Sequence, residues 1–411
     1  MKGHVTGALR WWDFLSATVQ ALLDSEATLL KFRSAFAASL GLDASRVTLF
    51  GSGRCALHAL AAGLELPAGA EALVPGYTCV VVPNVFLHLG LPVRYVDIAP
   101  GGWNPDAEAI AQAISPRTAL VVLPHNFGLC MAGIESLRER FPGVVFVEDA
   151  AHAWGSRDAQ GRMAGTRAQA AFFSFEYSKP LTTGIGGALV LNDLALRARL
   201  STRLPKLHAP TRGQVLRQVL TLAWHRLGLD LPGSALRALT ALLRAPARAV
   251  GAVARTPDTE LSGDTAPDYA LGLRPWSGAL GLQQARRAES VWAARRRQAE
   301  VYDTLLAGAP GWALPQHGEG EVLLRYPVRI DDPVQRAAVV RGLEALDIVP
   351  GVWFDDVVHP AGSLRYGYEA GACPQGEAAA RAVLNLPLGL HADLSQRQQQ
   401  GLRALAQGKS S

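Results

Sequence analysis

The stretch FFSFEYSKPLTTGIGG, residues Phe172–Gly187, decides the reading of this chain. An aromatic, strand-like run leads to Ser174. A single lysine, Lys179, follows, and then two threonines and three glycines within six residues. A lone lysine after a strand is ordinarily a solvated surface group. Here its neighbours are apolar on one side and tightly turned on the other, so Lys179 reads as a side chain held in place.

Working outward, the stretch lies in a region of alternating short apolar runs and helix-like runs. VTLF, ALVP, VRYVDI, ALVVLP, VVFVED, AAFFSF and GALVLND read as strands, with CALHALAAGLEL and IESLRERF among the helices between them. Buried strands separated by helices predict an α/β domain with a mostly parallel sheet, and ligands of such sheets sit where strand ends become loops. The texture then changes. The expected organisation is an N-terminal helical arm over 1–45 and a large α/β domain over 46–202. A Leu/Ala/Arg-rich helical insertion over 203–265 and a linker helix with a smaller C-terminal α/β domain over 266–411 complete it. In that last part YPVRI reads as a strand and PVQRAAVVRGLEAL as a helix, and only the KSS tail reads as disordered.

Composition narrows the function classes. Of 411 residues, 49% are hydrophobic and 18% charged, which fits a well-buried globular protein of two or three domains. Four cysteines, Cys55, Cys79, Cys130 and Cys373, form no C-x-x-C pair, so neither a disulfide framework nor a zinc site is expected. The N-terminus lacks the apolar core of a signal peptide, and no apolar run reaches the ~20 residues that span a bilayer. A cytoplasmic protein is the expectation. The net charge is +5, yet residues 203–255 hold nine Lys/Arg against the single acid Asp230. The remainder is slightly acidic, which argues against a nucleic-acid binder with a broad basic face. The basic segment reads as a helical cap. Its Arg and Leu/Ala faces with Trp224 also allow a peripheral membrane contact through 203–260.

Two further motifs bear on Lys179. GSGRCA, Gly51–Ala56, follows a strand, opens a helix, and matches the dinucleotide pattern G-x-G-x-x-G/A. A glycine turn at a helix N-terminus offers free N–H groups to any phosphate, without naming the phosphate's owner. VVFVEDAAH, Val144–His152, ends a strand on two carboxylates, with Asp149 thirty residues before Lys179. The plain reading of that aspartate is a helix cap. Taken together, Lys179, Asp149, Ser174 and Gly53–Cys55 supply what pyridoxal phosphate requires. The lysine serves for a Schiff base and proton transfer, the carboxylate for the ring nitrogen, and a helix N-terminus and a hydroxyl for the phosphate.

With EDAAHAWGS, Gly165 and FSFEYSKPLTTGIGG in place, the sequence resembles the DegT-type family of sugar aminotransferases within the fold-type I pyridoxal-phosphate enzymes. The resemblance runs from Lys31 to VLNLPLGLHADLS, with a gap across the basic segment. It implies Lys179 as the Schiff-base lysine, Asp149 as the partner of the ring nitrogen and His152 near the ring's 3-hydroxyl. It also implies Ser174, Gly53, Arg54 and Cys55 at the phosphate, and Cys79 in PGYTCVVV at the ring-stacking position. A homodimer, an amino-acid donor such as glutamate and a keto-sugar or nucleotide-linked keto-sugar acceptor are further implications. A related branch that dehydrates carries histidine in place of the lysine, so Lys179 favours amino transfer.

The chain departs from the family in several places. Cys79 stands where an aromatic is usual, so ring packing rests on Cys79 or shifts to Tyr77. Arg54 replaces a small hydroxyl residue and could add charge near the phosphate. Ile185 replaces a glutamate, and the asparagine lent by a neighbouring subunit has no counterpart around LGLRPWSGALGL. His125 in PHNFG reads equally as a cofactor neighbour or a structural histidine. Two rival readings stand beside the enzyme: a non-catalytic regulatory protein that kept this fold and binds the cofactor, and an NAD(P)-dependent enzyme using GSGRCA.

Overall fold

In the computed structural model the described residues are 8–23, 26–230, 258–390 and 392–408. The helical reading of 231–257 and the KSS tail lie outside them. A seven-stranded sheet forms the larger body, from β1 (Val47–Phe50), β2 (Glu71–Pro75), β4 (Val93–Val96), β5 (Thr118–Pro124), β6 (Val145–Asp149), β7 (Ala170–Ser174) and β8 (Gly187–Leu191). The order across the sheet is β1-β8-β7-β6-β5-β2-β4. Neighbours from β7 to β4 are parallel, whereas β8 runs antiparallel to both β7 and β1. The reversal follows from the short return Phe175–Gly186, which carries no crossover helix of the kind a parallel step needs.

The register brings the site together. Pro124 lies opposite Asp149, Asp149 opposite Phe172, Ser174 opposite Gly187, and Gly187 opposite Phe50. One edge of the sheet therefore gathers the ends of five strands. The strands are apolar throughout because both faces are covered. On one face, helix Gly53–Gly63 contributes Leu57 and Leu60 to a cluster with Val74, Leu120 and Leu189. On the other, Phe32 and Phe36 of helix Glu26–Ser39 meet Phe173 and Phe175 edge to face, at centroid distances of 5.0 to 5.5 Å. The residues expected as an N-terminal arm thus pack directly on the sheet.

The second body holds the antiparallel pair β9 (Arg325–Arg329) and β11 (Val383–Pro387). Helices Ala288–Leu306, Pro333–Ala345, Pro374–Ala382 and Gln396–Ala406 surround it, with Tyr302, Tyr326, Leu384 and Leu402 in its core. The two-residue strand β10 (Val358–His359) leaves this region to pair in parallel with β3 (Thr78–Cys79), which places His359 opposite Cys79. Of the basic segment, helix Arg212–Asp230 is described. It buries Leu222 beside Trp276 and Leu280 and leaves Leu216 and Leu220 exposed. No helix among the described residues is long and apolar enough to cross a membrane.

Candidate active site

A cavity of about 330 Å³ opens at the gathered strand ends. Gly53, Arg54, Cys79, Asp149, His152, Ser174 and Lys179 all line it, across a span of 127 sequence positions. Cys55 does not. Its buried thiol lies against Ser52 Oγ at 3.0 Å and the Asp268 carbonyl at 3.5 Å, and its N–H is capped by Ser52 Oγ at 3.3 Å. The N–H that the phosphate reading assigns to Cys55 is held by Ser52, the N-cap. Gly53 and Arg54 keep the first-turn N–H groups that a helix leaves unpaired by construction.

Glycine at position 53 allows a close approach. A Cβ there would stand 3.1 Å from the Phe173 carbonyl oxygen and 3.3 Å from Ser174 Cβ. This closeness sets the helix N-terminus directly beside the Ser174 hydroxyl. Arg54 is less available than expected, because its guanidinium pairs with Glu260, a buried carboxylate of the short helix Asp258–Leu261. The charge that Arg54 brings to the cavity is thereby offset.

Lys179 is half-buried and reaches the cavity from a loop pinned at its far end. Thr182 N–H donates to Gln284 Oε1 at 3.0 Å, and Gln284 Nε2 returns a bond to the Thr182 carbonyl at 2.6 Å. Burial lowers the pKa of the lysine, against the opposing pull of Glu176, so the neutral, nucleophilic amine gains population. Asp149 shifts in the opposite sense. Burial raises its pKa, while the Ala151 N–H at 3.1 Å on Oδ1 and the charge of Lys179 pull it down. A cationic ring nitrogen placed against this carboxylate would supply the missing countercharge.

His152 is fixed as a neutral donor. Its Nδ1 accepts the Phe127 N–H at 3.2 Å, which leaves the proton on Nε2. Burial drives its pKa well below the usual histidine value, helped by Lys179, Arg325 and His359. His125 also lines the cavity, with its ring held from both sides. Its Nε2 meets buried Glu148 at 2.8 Å and its Nδ1 accepts the Met131 N–H at 3.0 Å, so both ring nitrogens are used.

Ring packing does not fall to Tyr77. That phenol is fully buried and bonds the carbonyl and N–H of Phe354, each at 3.1 Å. It holds Phe354 against His152, whose rings are 5.7 Å apart and 25° from parallel. Phe354, Trp353, His359 and Glu176 line the cavity as well. The sequence reading missed these residues. The signal was WFDDVVHP, two aromatics and a His-Pro in a segment without strand or helix periodicity.

The dinucleotide reading of GSGRCA loses its structural basis. Among the described residues, the strand before the turn, β1, pairs only with antiparallel β8, so it forms no parallel β-α-β unit of the dinucleotide type there.

Residues 16–219 and 248–403 match the model of the DegT/DnrJ/EryC1/StrS aminotransferase family. The chain belongs to that family. It is 37% identical over 141 residues to the 3-amino-5-hydroxybenzoate synthase of Amycolatopsis mediterranei (strain S699), a match covering 33% of this chain and 36% of that protein. The chain therefore spans about a third of the length of this curated relative. The crystal structure of the aminotransferase TlmJ from Streptoalloteichus hindustanus superposes with a TM-score of 0.72 at 23% identity, over 99% of this chain and 98% of that one. DesI, solved in the presence of its TDP-sugar product, gives 0.71 at 23%, over 99% and 94%. At these identities the two structures establish the fold, the fold-type I architecture of this family.

The family makes pyridoxal phosphate the expected cofactor, and the residues present fit it. A half-buried carboxylate lacking a full countercharge, a depressed lysine, a neutral histidine donor and a helix N-terminus beside a hydroxyl line a single cavity.

Proposed function

We propose that this protein is an aminotransferase using pyridoxal phosphate, taking an amino group from an amino acid, glutamate first among candidates, and giving it to a keto-sugar or nucleotide-linked keto-sugar. The observation that carries the reading is the meeting of Lys179, Asp149, His152 and the Gly53–Ser174 cradle in one cavity. When bound, the cofactor supplies an aldehyde that takes up amino groups and a ring that accepts the electron pair left by a departing Cα proton.

Each residue has a part in that chemistry. Gly53 and Arg54 N–H groups and the Ser174 hydroxyl would bind the phosphate, with Glu260 holding the Arg54 side chain aside. Asp149 would keep the ring nitrogen protonated. His152 Nε2–H would donate to an oxygen on the ring. Lys179 would hold the cofactor covalently, and its neutral amine would carry the proton at Cα. Phe354 and Trp353, as aromatic lining residues, would exclude water from the cavity. The TDP-sugar product of DesI and the aminobenzoate named for the Amycolatopsis relative support a keto acceptor carried on a ring.

The test begins with purified protein and added pyridoxal phosphate. A visible absorption band should form, and borohydride should fix the cofactor on Lys179, read by peptide mass. L-Glutamate should then bleach the band, and a panel of keto-sugar nucleotides should restore it. A protein that never acquires the band would end the reading.

A further inference from the structure

We infer that two helices outside the cavity, Trp11–Leu23 and Arg212–Asp230, form a face that docks this protein on an anionic lipid surface. Docking of this kind is independent of the aminotransferase reading. On the first helix Trp12, Leu15 and Val19 are 72, 60 and 55% exposed. Their spacing of three and then four residues puts them on one stripe of the helix. The other side of this helix is anchored. Phe14 meets Trp276 at a centroid distance of 6.3 Å, and Ala17 is buried in the same apolar cluster. Val215, Val219 and Leu222 of the second helix join that cluster. The second helix in turn exposes Leu216 and Leu220, four residues apart.

Single exposed apolar side chains are ordinary on a soluble protein, whereas a row of them along two helices of one cluster marks a surface that is covered in use. The charges point to what covers it. Arg10, Arg212 and Arg217 are exposed beside these residues, and no acid is exposed among the described side chains of the two helices. The one acid of the first helix, Asp13, is buried and held by both terminal nitrogens of Arg287 at 2.7 Å. The surrounding sequence has the same sign, with nine Lys/Arg against one acid over 203–255. A second copy is a poor occupant. A two-fold contact sets a patch against itself and would bring arginines together without acids. Phosphate headgroups supply the missing charge, and the interfacial layer takes up an exposed tryptophan such as Trp12. Neither helix is long and apolar enough to cross the bilayer, so the contact lies in its surface plane.

The face stands one helix away from the cavity. On the inner side of helix Arg212–Asp230, Leu222 Cδ1 lies 3.1 Å from where a Cβ on Gly184 would stand. The rings of His225 and Tyr177 stack there, 5.0 Å apart and 19° from parallel. Tyr177 lines the cavity, and the turn between Tyr177 and Gly184 carries Lys179. Docking therefore holds this turn beside the lipid surface, with helix Arg212–Asp230 between the two.

The test is flotation of the full chain with vesicles of phosphatidylcholine alone and of an equimolar mixture with phosphatidylglycerol. The wild type should float with the anionic vesicles, stay behind with the neutral ones, and be released by high salt. Trp12→Ser combined with Leu15→Ser should weaken the partitioning at least about tenfold. Arg212→Gln combined with Arg217→Gln should weaken it about ten- to thirtyfold. All four positions are exposed and none lines the cavity, so both variants should keep the wild-type unfolding midpoint and the same uptake of pyridoxal phosphate. A wild type that does not float, one that floats equally with neutral vesicles, or variants that float like the wild type would overturn the assignment. So would sedimentation in which the Trp12→Ser, Leu15→Ser variant turns a dimer into a monomer while flotation persists, which would give the face to a second copy. Flotation requires no turnover, so a failed aminotransferase reading registers separately, as a protein that floats but never takes up the cofactor.

Discussion

Glu148 and His125 form a fully buried pair, Oε2 to Nε2 at 2.8 Å, while the next residue, Asp149, faces the cavity. Successive side chains of a strand point to opposite faces, so the two carboxylates at the end of β6 have separate duties. Glu148 also accepts N–H groups from Gly165, Arg167 and Ala168 at 2.6 to 2.7 Å. Burial pushes its pKa up, but His125 and these N–H groups outweigh burial and hold it below the usual glutamate value. A depressed acid contributes stability that is present above its unfolded pKa and is lost as pH falls through the folded one. Glu148→Gln should therefore cost about 2–4 kcal/mol at pH 7 in urea unfolding. The gap to the wild type should narrow below about pH 4, as glutamate protonates. Equal midpoints at pH 7 would refute the role.

Asp149→Asn is expected to separate stability from activity. The asparagine keeps an oxygen for the Ala151 N–H and loses only the charge. The folded pKa of Asp149 is raised, chiefly by burial, so at neutral pH its ionised form is penalised in the fold. The unfolding midpoint of the cofactor-free variant should hold or rise. Turnover should fall about 10²–10³-fold, the scale of losing one placed electrostatic partner. A drop in midpoint of the size seen for Glu148→Gln would mean that Asp149 is a structural cap.

How far these duties are legible in sequence is clear at this pair. VVFVEDAAH shows an apolar strand ending in two acids, but its phase against the cavity is set by the register with β5 and β7, which sequence does not carry. Lys179 and Ser174 are legible because local turn chemistry and an apolar strand surround them. The Ser52 cap on the Cys55 N–H is a side-chain choice invisible in the glycine pattern. Trp353, Phe354 and His359 reach the site through the pairing of β10 with β3, a contact across 280 residues that leaves no periodic trace.

For His152 the protonated nitrogen is the point at issue. Phe127 N–H occupies Nδ1, so Nε2–H is the only donor the ring has to give. His152→Gln retains an N–H donor and His152→Phe does not. Pyridoxal phosphate should bind about tenfold more weakly to the phenylalanine variant than to the glutamine variant, by fluorescence titration. Because burial holds the ring neutral, its ionisation should leave no step in the activity profile between about pH 6 and 8. A step that disappears in His152→Gln would contradict the neutral assignment.

Lys179 completes the set, and its substitution reads in two directions. Burial lowers its pKa, with Arg325 acting in the same sense and Glu176, Cys79 and Asp149 against it. A lowered base binds fewer protons folded than unfolded. Its ammonium form therefore costs stability below the folded pKa, and that cost is relieved as pH rises toward the unfolded lysine value of about 10.4. Lys179→Met fills the space with a similar apolar chain and removes the cost. At pH 7 the cofactor-free variant should unfold at or above the wild-type midpoint, and the difference should shrink as pH approaches 10. Turnover should fall by more than about 10³-fold and borohydride labelling should vanish, because the amine is both attachment point and proton carrier. A Lys179→Met protein that loses activity together with its folded structure would place the lysine in the scaffold and not in the chemistry.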